Sequence, residues 1–290
     1  NHVSTSGTFD TTYINLPVPS YSNQNDAITG SLSHLFYLKN GKLGLLASTA
    51  FKSPNIDDIT KVFDSNVGYV TIPNTQLKPE YAYNTEVNLT HKIGQRIELI
   101  SSVFYTYLKD VLTTTESAFN GQDSLLYDGI MSKVQHLSNQ DYAAVYGAQL
   151  AISYKINSNL QLRSTYTFLN SSSSSGEPIR HITPNFGGTR LSYQMKKGRI
   201  LIYTRYNQEF KSSQFTINEL QDDFLYAKDG DGLPYSPGWV TFNARAVYPI
   251  TETIQLNFGI ENILDKRYRP YGSGISAAGR NVIFSIQAKL

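Results

Sequence analysis

From Asn281 to Leu290 polar and apolar residues alternate without a break, and the run ends on the apolar beat. Val282, Phe284, Ile286, Ala288 and Leu290 fall on one face of a predicted strand, while Asn281, Ser285, Gln287 and Lys289 share the other with Ile283. The segment upstream repeats the scheme, with Ile254, Leu256, Phe258 and Ile260 opposite Gln255, Asn257, Gly259 and Glu261. Read for the same alternation between turn residues, the chain yields about eleven strands. They fall near 27 to 39, 43 to 51, 80 to 93, 96 to 109, 142 to 156, 159 to 170, 184 to 196, 199 to 211, 238 to 249, 253 to 263 and 280 to 290. Each is a wall segment with one oily face. A soluble sandwich buries that face, whereas a membrane barrel turns it to lipid.

The connections take turns between two kinds. Asn40-Gly41, Gly94-Gln95, Asn157-Ser158, Lys197-Gly198 and Thr251-Glu252 are tight hairpin turns. Between them run long segments, 52 to 79, 110 to 141, 171 to 183, 212 to 237 and 264 to 279. This alternation sorts tight turns to one end and long loops to the other, as in outer-membrane barrels, and makes residues 1–26 an outer loop. Asn55 to Asp64 reads as a short helix with Asn55 as cap and Ile56, Ile59 and Phe63 on one face. Ser171 to Ser175 is a low-complexity loop tip. An odd strand number starting in mid-loop leaves two open edges, which in lipid would cost on the order of tens of kcal/mol, so further strands are expected upstream.

Composition sharpens this picture. The 290 residues include 21 Tyr and 14 Phe against one Trp and two Met, a skew suited to a lipid–water boundary. A mean hydropathy of −0.31 fits strands that spend every second residue on lipid. No apolar run long enough for a spanning helix occurs. With no Cys, disulfides, thiolate zinc sites and thiol nucleophiles are excluded. A net charge of +2 with scattered Lys and Arg argues against a nucleic-acid partner. The opening NHVSTSGTFD has neither a cationic start nor an apolar stretch, so it is no signal peptide, and a longer precursor is expected.

Three motifs then carry a resemblance. Phe51-Lys52-Ser53-Pro54-Asn55 is similar to the "FRAPN" segment of TonB-dependent outer-membrane receptors, Pro73 to Glu80 (PNTQLKPE) to their "NPDLKPE" box, and GIENILDKRYRPYGSGISAAGRNVIFSIQAKL to their closing "ENLFDKxY...GRN" segment and terminal strand. Lys52-Ser53 replaces Arg-Ala, and Leu290 stands where an aromatic is usual. The resemblance implies an all-β, antiparallel transmembrane β-barrel, of which residues 27–290 supply about the last eleven strands of 22. It also implies an N-terminal plug moved by the TonB complex, outer-membrane lipid around the wall, and a small-molecule or haem-protein cargo, most often an iron complex such as a siderophore or haem. No resident cofactor, metal or catalytic centre is implied.

Candidate chemistry lies mainly in the long loops. Phe119, Tyr127, Tyr142, Phe215, Phe224, Tyr226, Tyr235, Tyr268 and Tyr271 offer faces on which a planar ligand could stack, or pack their own loops. Among His2, His34, His91, His136 and His181, none falls between the two boxes where haem receptors place a ligand. His136, near Tyr127 and Tyr142, is the best candidate, with an ordinary loop residue as the alternative. His181 marks a strand start, and His91 an interfacial position. Inward Arg163, Arg205 and Arg245 are expected to line the lumen, pairing with wall or plug carboxylates or with an anionic iron chelate. Asp222, Asp223, Asp229 and Asp231 could gather around calcium, but Asp229-Gly230-Asp231-Gly232 lacks the spacing of a calcium loop and reads as a turn. No pattern isolates a nucleophile beside a base, so an enzyme is not expected. A passive porin-like channel and a soluble β-rich binding module remain as alternatives.

Overall fold

The computed structural model describes all residues except 9–19, 61, 63–67, 177, 181, 217–218, 221–222 and 290. Phe63, Asp64, His181, Asp222 and Leu290 therefore lie outside the described residues. In chain order the strands are β1 (His2–Thr8), β2 (Ser20–Asp26), β3 (Ser31–Leu38), β4 (Gly41–Lys52), β5 (Tyr69–Ile72), β6 (Glu80–Ile93), β7 (Ile97–Glu116), β8 (Ser124–Tyr127) and β9 (Ile130–Lys155). They continue as β10 (Leu160–Ser173), β11 (Phe186–Gln194), β12 (Arg199–Asn207), β13 (Ala227–Lys228), β14 (Pro234–Tyr235), β15 (Trp239–Pro249), β16 (Ile254–Glu261) and β17 (Asn281–Ala288). One short helix, α1, spans Ile56–Thr60.

The wall is one antiparallel path ordered β17-β16-β15-β12-β11-β10-β9-β7-β6-β4-β3. Each of its eleven members overlaps one of the eleven alternating segments of the sequence. Cross-strand register gives the wall two consistent faces. Along one row, Ser153, Arg163, Arg190, Tyr203 and Asn243 are neighbours. The opposite face carries Val87, Val103 and Ala148, then Ile202, Ala244, Ile260 and Val282. Among the described residues no second layer covers this apolar face: Val282, Phe284 and Ile286 are 61%, 63% and 63% exposed. That exposure contradicts a soluble sandwich and matches a wall solvated by hydrocarbon, with polar residues on the other side.

Tyrosines band the apolar face toward the long-loop end. Tyr83 lies 6.4 Å from Tyr107, Tyr107 5.9 Å from Tyr142, Tyr105 6.4 Å from Tyr146 and Tyr166 6.5 Å from Tyr206, centroid to centroid. Amphipathic rings at that level mark the lipid–water boundary. Gly147 faces the polar side beneath Phe104, where a Cβ would approach the Phe168 carbonyl to 2.5 Å and the Phe104 ring to 2.9 Å. Only glycine lets the ring lie over the backbone there.

Three expectations need correction. Ser171 to Ser173, read as part of a loop tip, are the last residues of β10, paired with Val145, Ala144 and Ala143. The segment 110 to 141, read as a loop, is mostly strand: β7 runs to Glu116 and β9 starts at Ile130, paired through Val111↔Gln140 to Glu116↔Gln135. The short β5 adds in parallel, Tyr69↔Lys133 to Ile72↔His136, and β8 pairs antiparallel with the same stretch. Within residues 1–26, β1 and β2 pair antiparallel from His2↔Asp26 to Thr8↔Ser20, so this segment too contains strands.

The motifs at the long-loop rim have local physical work to do. Asn55 Oδ1 accepts the Asp58 amide at 2.8 Å while Asp58 Oδ2 accepts the Asn55 amide at 3.0 Å, a reciprocal cap that starts α1. Lys52 Nζ sits 3.6 Å from Asp58 and 3.5 Å from Glu80, tying both boxes together. Beneath them Ile59, Leu77 and Tyr21 form a buried cluster.

Candidate functional site

Loop 262–280, between β16 and β17, is anchored by one residue at its root. Asn262, 3% exposed with φ of 50°, accepts the Lys266 amide on Oδ1 at 2.9 Å. Its Nδ2 donates to the carbonyls of Lys266 at 2.9 Å and Ala278 at 3.2 Å. Asparagine tolerates this left-handed conformation better than most residues and can serve both strands of the loop at once. Asp265 Oδ1 accepts the Arg280 amide at 2.8 Å, and the Ala277 amide donates to Tyr268 O at 2.9 Å. The run from Lys266 to Tyr271 is thereby held over the wall.

That run meets the loop between β12 and β15. Phe210 and Ser236 exchange backbone hydrogen bonds of 2.9 Å each, pinching the loop at its base. Within it Phe210, Phe215 and Tyr226 are buried, and Tyr271 crosses from the neighbouring loop to join them. Centroid separations are 4.4 Å for Phe215–Tyr226, 5.0 Å for Phe210–Tyr271 and 5.3 Å for Phe210–Phe215. The Tyr271 hydroxyl donates to Glu219 Oε1 at 2.7 Å, and Glu219 Oε2 accepts the Thr216 amide and hydroxyl at 3.0 and 3.1 Å. Burial first, and the Glu219 carboxyl second, push the Tyr271 phenol far above its ordinary value. Tyr226 and Tyr271 therefore pack two loops together.

Beside this cluster lies a cavity of about 310 Å³ whose walls include Tyr226, Tyr235, Trp239, Tyr268, Arg267 and Arg269. Trp239, on the polar face at the start of β15, packs against Tyr268 with centroids 4.3 Å apart and ring planes tilted by 37°. Arg269 makes long hydrogen bonds to the carbonyls of Phe224 and Leu225, at 3.5 and 3.4 Å. Among the described residues no carboxylate pairs with Lys266, Arg267 or Arg269. An apolar, aromatic-walled cavity with unpaired cations suits a planar anion.

The structure brings Tyr226, Tyr235, Tyr268 and Tyr271 to this site, with Phe224 adjacent and 70% exposed. Other candidates lie elsewhere. Phe119 closes a tight turn with Gln122, and Tyr127 ends β8 opposite Ile130. His136 sits on β9 across from Thr115 and beside Ile72, with Nδ1 3.1 Å from Ser117 Oγ. Burial holds its pKa below the usual imidazole value, favouring the neutral ring. Tyr142 lies on the apolar face of β9, stacked on Tyr107, among rings that meet lipid.

Arg163, Arg205 and Arg245 share the polar face. Arg245 pairs with Glu261, which also accepts the Tyr203 hydroxyl at 3.1 Å, and Arg205 lies 5.5 Å over the Tyr203 ring. Asp229 makes a turn: its Oδ1 accepts the amides of Asp231 at 3.0 Å and Leu233 at 2.8 Å, between β13 and β14. Trp239, Arg267, Arg269 and Glu219 were not singled out from sequence. The lone Trp after Pro237-Gly238, and the cationic run Lys266-Arg267-Tyr268-Arg269, were the available signals.

Comparison with known proteins follows the same line. The family model "TonB dependent receptor-like, beta-barrel" matches residues 1–263. The chain is 24% identical over 249 residues to the iron-regulated outer membrane virulence protein of Vibrio cholerae serotype O1, covering 83% of this chain and 36% of that protein. It superposes with a TM-score of 0.71 on the copper transporter OprC, at 14% identity, over 94% of this chain and 40% of that one. The ferric enterobactin receptor PfeA of Pseudomonas aeruginosa, in complex with enterobactin, superposes at 0.70 and 14% identity, over 92% and 40%. The chain thus spans little more than a third of the length of the curated relative.

Proposed function

The chain belongs to the TonB-dependent receptor β-barrel family and is an outer-membrane protein; on that premise we propose that it forms part of a transporter for a scarce nutrient, an iron complex carried by a planar or aromatic anionic chelator. The cavity of Trp239, Tyr268 and Tyr235 beside Arg267 and Arg269 carries this reading, because flat faces and unpaired cations at the long-loop end match such a cargo. The Vibrio relative is named for iron regulation, and the Pseudomonas structure holds enterobactin. Haem is the less favoured cargo, since no histidine stands between Asn55 and Ile72 and His136 is engaged within the strands. The remaining strands would complete a 22-stranded wall, and a plug would couple it to the TonB complex. No catalytic step is involved.

The decisive experiment is uptake. In iron-starved cells lacking the full-length receptor, restoring it should restore TonB-dependent accumulation of a labelled ferric catecholate, and Arg267→Ala with Arg269→Ala should raise the concentration needed. Restored cells that accumulate neither catecholate iron nor haem would overturn the iron assignment.

A further inference from the structure

Charge is sorted along the wall as sharply as loop length. Nine of the 25 Lys and Arg lie at the tight-turn rim against two of the 23 Asp and Glu, so the rest of the chain carries 16 cations and 21 carboxylates. Lys39, Arg96, Lys196 and Lys197 occupy the turns themselves. Lys42, Lys92, Lys155, Arg199 and Lys289 stand within one residue of a strand end there, and all nine are exposed. The two carboxylates are Glu98, opposite Lys92, and Glu252 in the turn between β15 and β16. Among the described residues none of the nine cations forms an ion pair, although Lys42 lies over the Tyr37 ring at 5.7 Å. The rim therefore holds a positive charge that the wall does not neutralise.

Depth selects the occupant. Tyr154, Tyr193 and Tyr248 each sit one residue from the tight-turn end of β9, β11 and β15, on the apolar face, and make a second tyrosine band. Tyr146 of the upper band and Tyr154 share that face of β9 eight residues apart. The separation is about 27 Å along the strand and about 20 Å along the membrane normal once tilted, the scale of the apolar band between two aromatic girdles. The cations thus begin where hydrocarbon ends, at the level of lipid phosphates. Long Lys and Arg stems can extend along the boundary while their charged heads meet those phosphates. Near an anionic membrane surface each such cation strengthens attachment about fivefold.

We propose that the tight-turn rim is a binding surface for anionic phospholipid of the leaflet it faces, with headgroup phosphates against Lys39, Arg96, Lys196 and Lys197. Lipid phosphates neutralise the rim and hold the wall at a fixed depth, with its tight-turn end in that leaflet. This depends on the facing of the wall and is independent of the cargo.

The test uses the full-length receptor in nanodiscs of phosphatidylethanolamine with a minor share of phosphatidylglycerol, and native mass spectrometry counts the lipids that stay bound when the disc is removed. The expected result is phosphatidylglycerol retained in excess of its share. Retention should fall about fivefold for each charge removed in Lys196→Gln with Lys197→Gln, and in Lys39→Gln with Arg96→Gln. Lys133→Gln with Lys228→Gln removes the same charge from the long-loop end and should retain as much as the unsubstituted receptor. Retention that merely follows the disc composition, or an equal loss in both sets of variants, overturns the proposal. The unsubstituted receptor gives a reading that does not depend on how any variant folds: its retention should fall with added salt, and salt-insensitive retention overturns the proposal as well. Soluble polyglutamate that binds the receptor in discs of phosphatidylethanolamine alone, and displaces phosphatidylglycerol from mixed discs, assigns the rim to an acidic protein and overturns it equally.

Discussion

The Tyr271 hydroxyl and the Glu219 carboxyl, 52 residues apart, meet at 2.7 Å inside a cluster of three other aromatic rings. Glu219 is 2% exposed, so protein donors, Tyr271 and Thr216 among them, serve its oxygens in place of water. Tyr271→Phe keeps the ring packing and removes one donor, and should cost about 1–3 kcal/mol of loop stability. Hydrogen exchange across residues 210–236 and 262–280 should speed up while the wall strands stay protected. Because the folded phenol is held far above the ordinary value of about 10, its contribution is complete below that pH and is lost only as pH rises past it. Exchange in these loops should therefore be flat with pH, after correction for intrinsic rates, from about 6 to 9.

His136 behaves in the opposite sense. Its burial favours the neutral ring, so the folded β5–β9–β8 junction binds fewer protons than the opened one. The associated stability is present above the ordinary imidazole value of about 6.5 and declines as pH falls below it toward the lowered folded value. Protease cleavage near residues 124–136 should increase between pH 7.5 and pH 5, and His136→Gln should flatten that dependence. An unchanged pH profile in the substituted protein would show that another group titrates.

Two adjacent residues of β17 separate the two solvents. Phe284 is on the lipid face and Ser285 on the polar face, the latter 3.3 Å from Asn257 Nδ2. Phe284→Arg in the complete barrel should cost about 2–4 kcal/mol in lipid, whereas Ser285→Arg should cost under about 1 kcal/mol. Denaturant titration in phospholipid vesicles reads both, and equal costs would contradict the facing assigned to the wall.

Tyr142 and Trp239 make a second contrast. Tyr142→Ala removes one stacked ring from the boundary band, worth about 0.5–1.5 kcal/mol of stability, and should leave cargo affinity unchanged. Trp239→Ala strips one wall of the cavity and should weaken binding of the labelled chelate by about 2 kcal/mol, roughly thirtyfold in Kd.

Legibility followed the solvent. β6 was readable to its bounds because Pro79 and Gly94 punctuate it and Val87, Leu89 and Ile93 must meet hydrocarbon. The upper parts of β7 and β9 were not, since Thr113, Thr114 and Thr115 and the facing Leu137, Ser138 and His136 stand beyond the tyrosine band, where neither face has to be apolar. The same holds for β1 and β2, whose sequences HVSTSGT and SYSNQND have no oily side. The cavity was half readable: its tyrosines were visible as loop aromatics, but the meeting of Trp239 with Tyr268 depends on how Asn262 folds a loop, and no spacing encodes that.

The sorting of connections also governs where this polypeptide can change. At the tight-turn rim a methyl group on Gly41 would approach the Thr90 carbonyl to 2.0 Å and one on Gly198 the Val247 carbonyl to 2.2 Å, so those corners resist even the smallest side chain. At the opposite rim Gly230 looks onto open space with its φ outside the left-handed region, so a side chain there meets no clash. Epitope tags, altered cargo preference and escape from phage or antibody can therefore accumulate on one side of the membrane while the other stays constant.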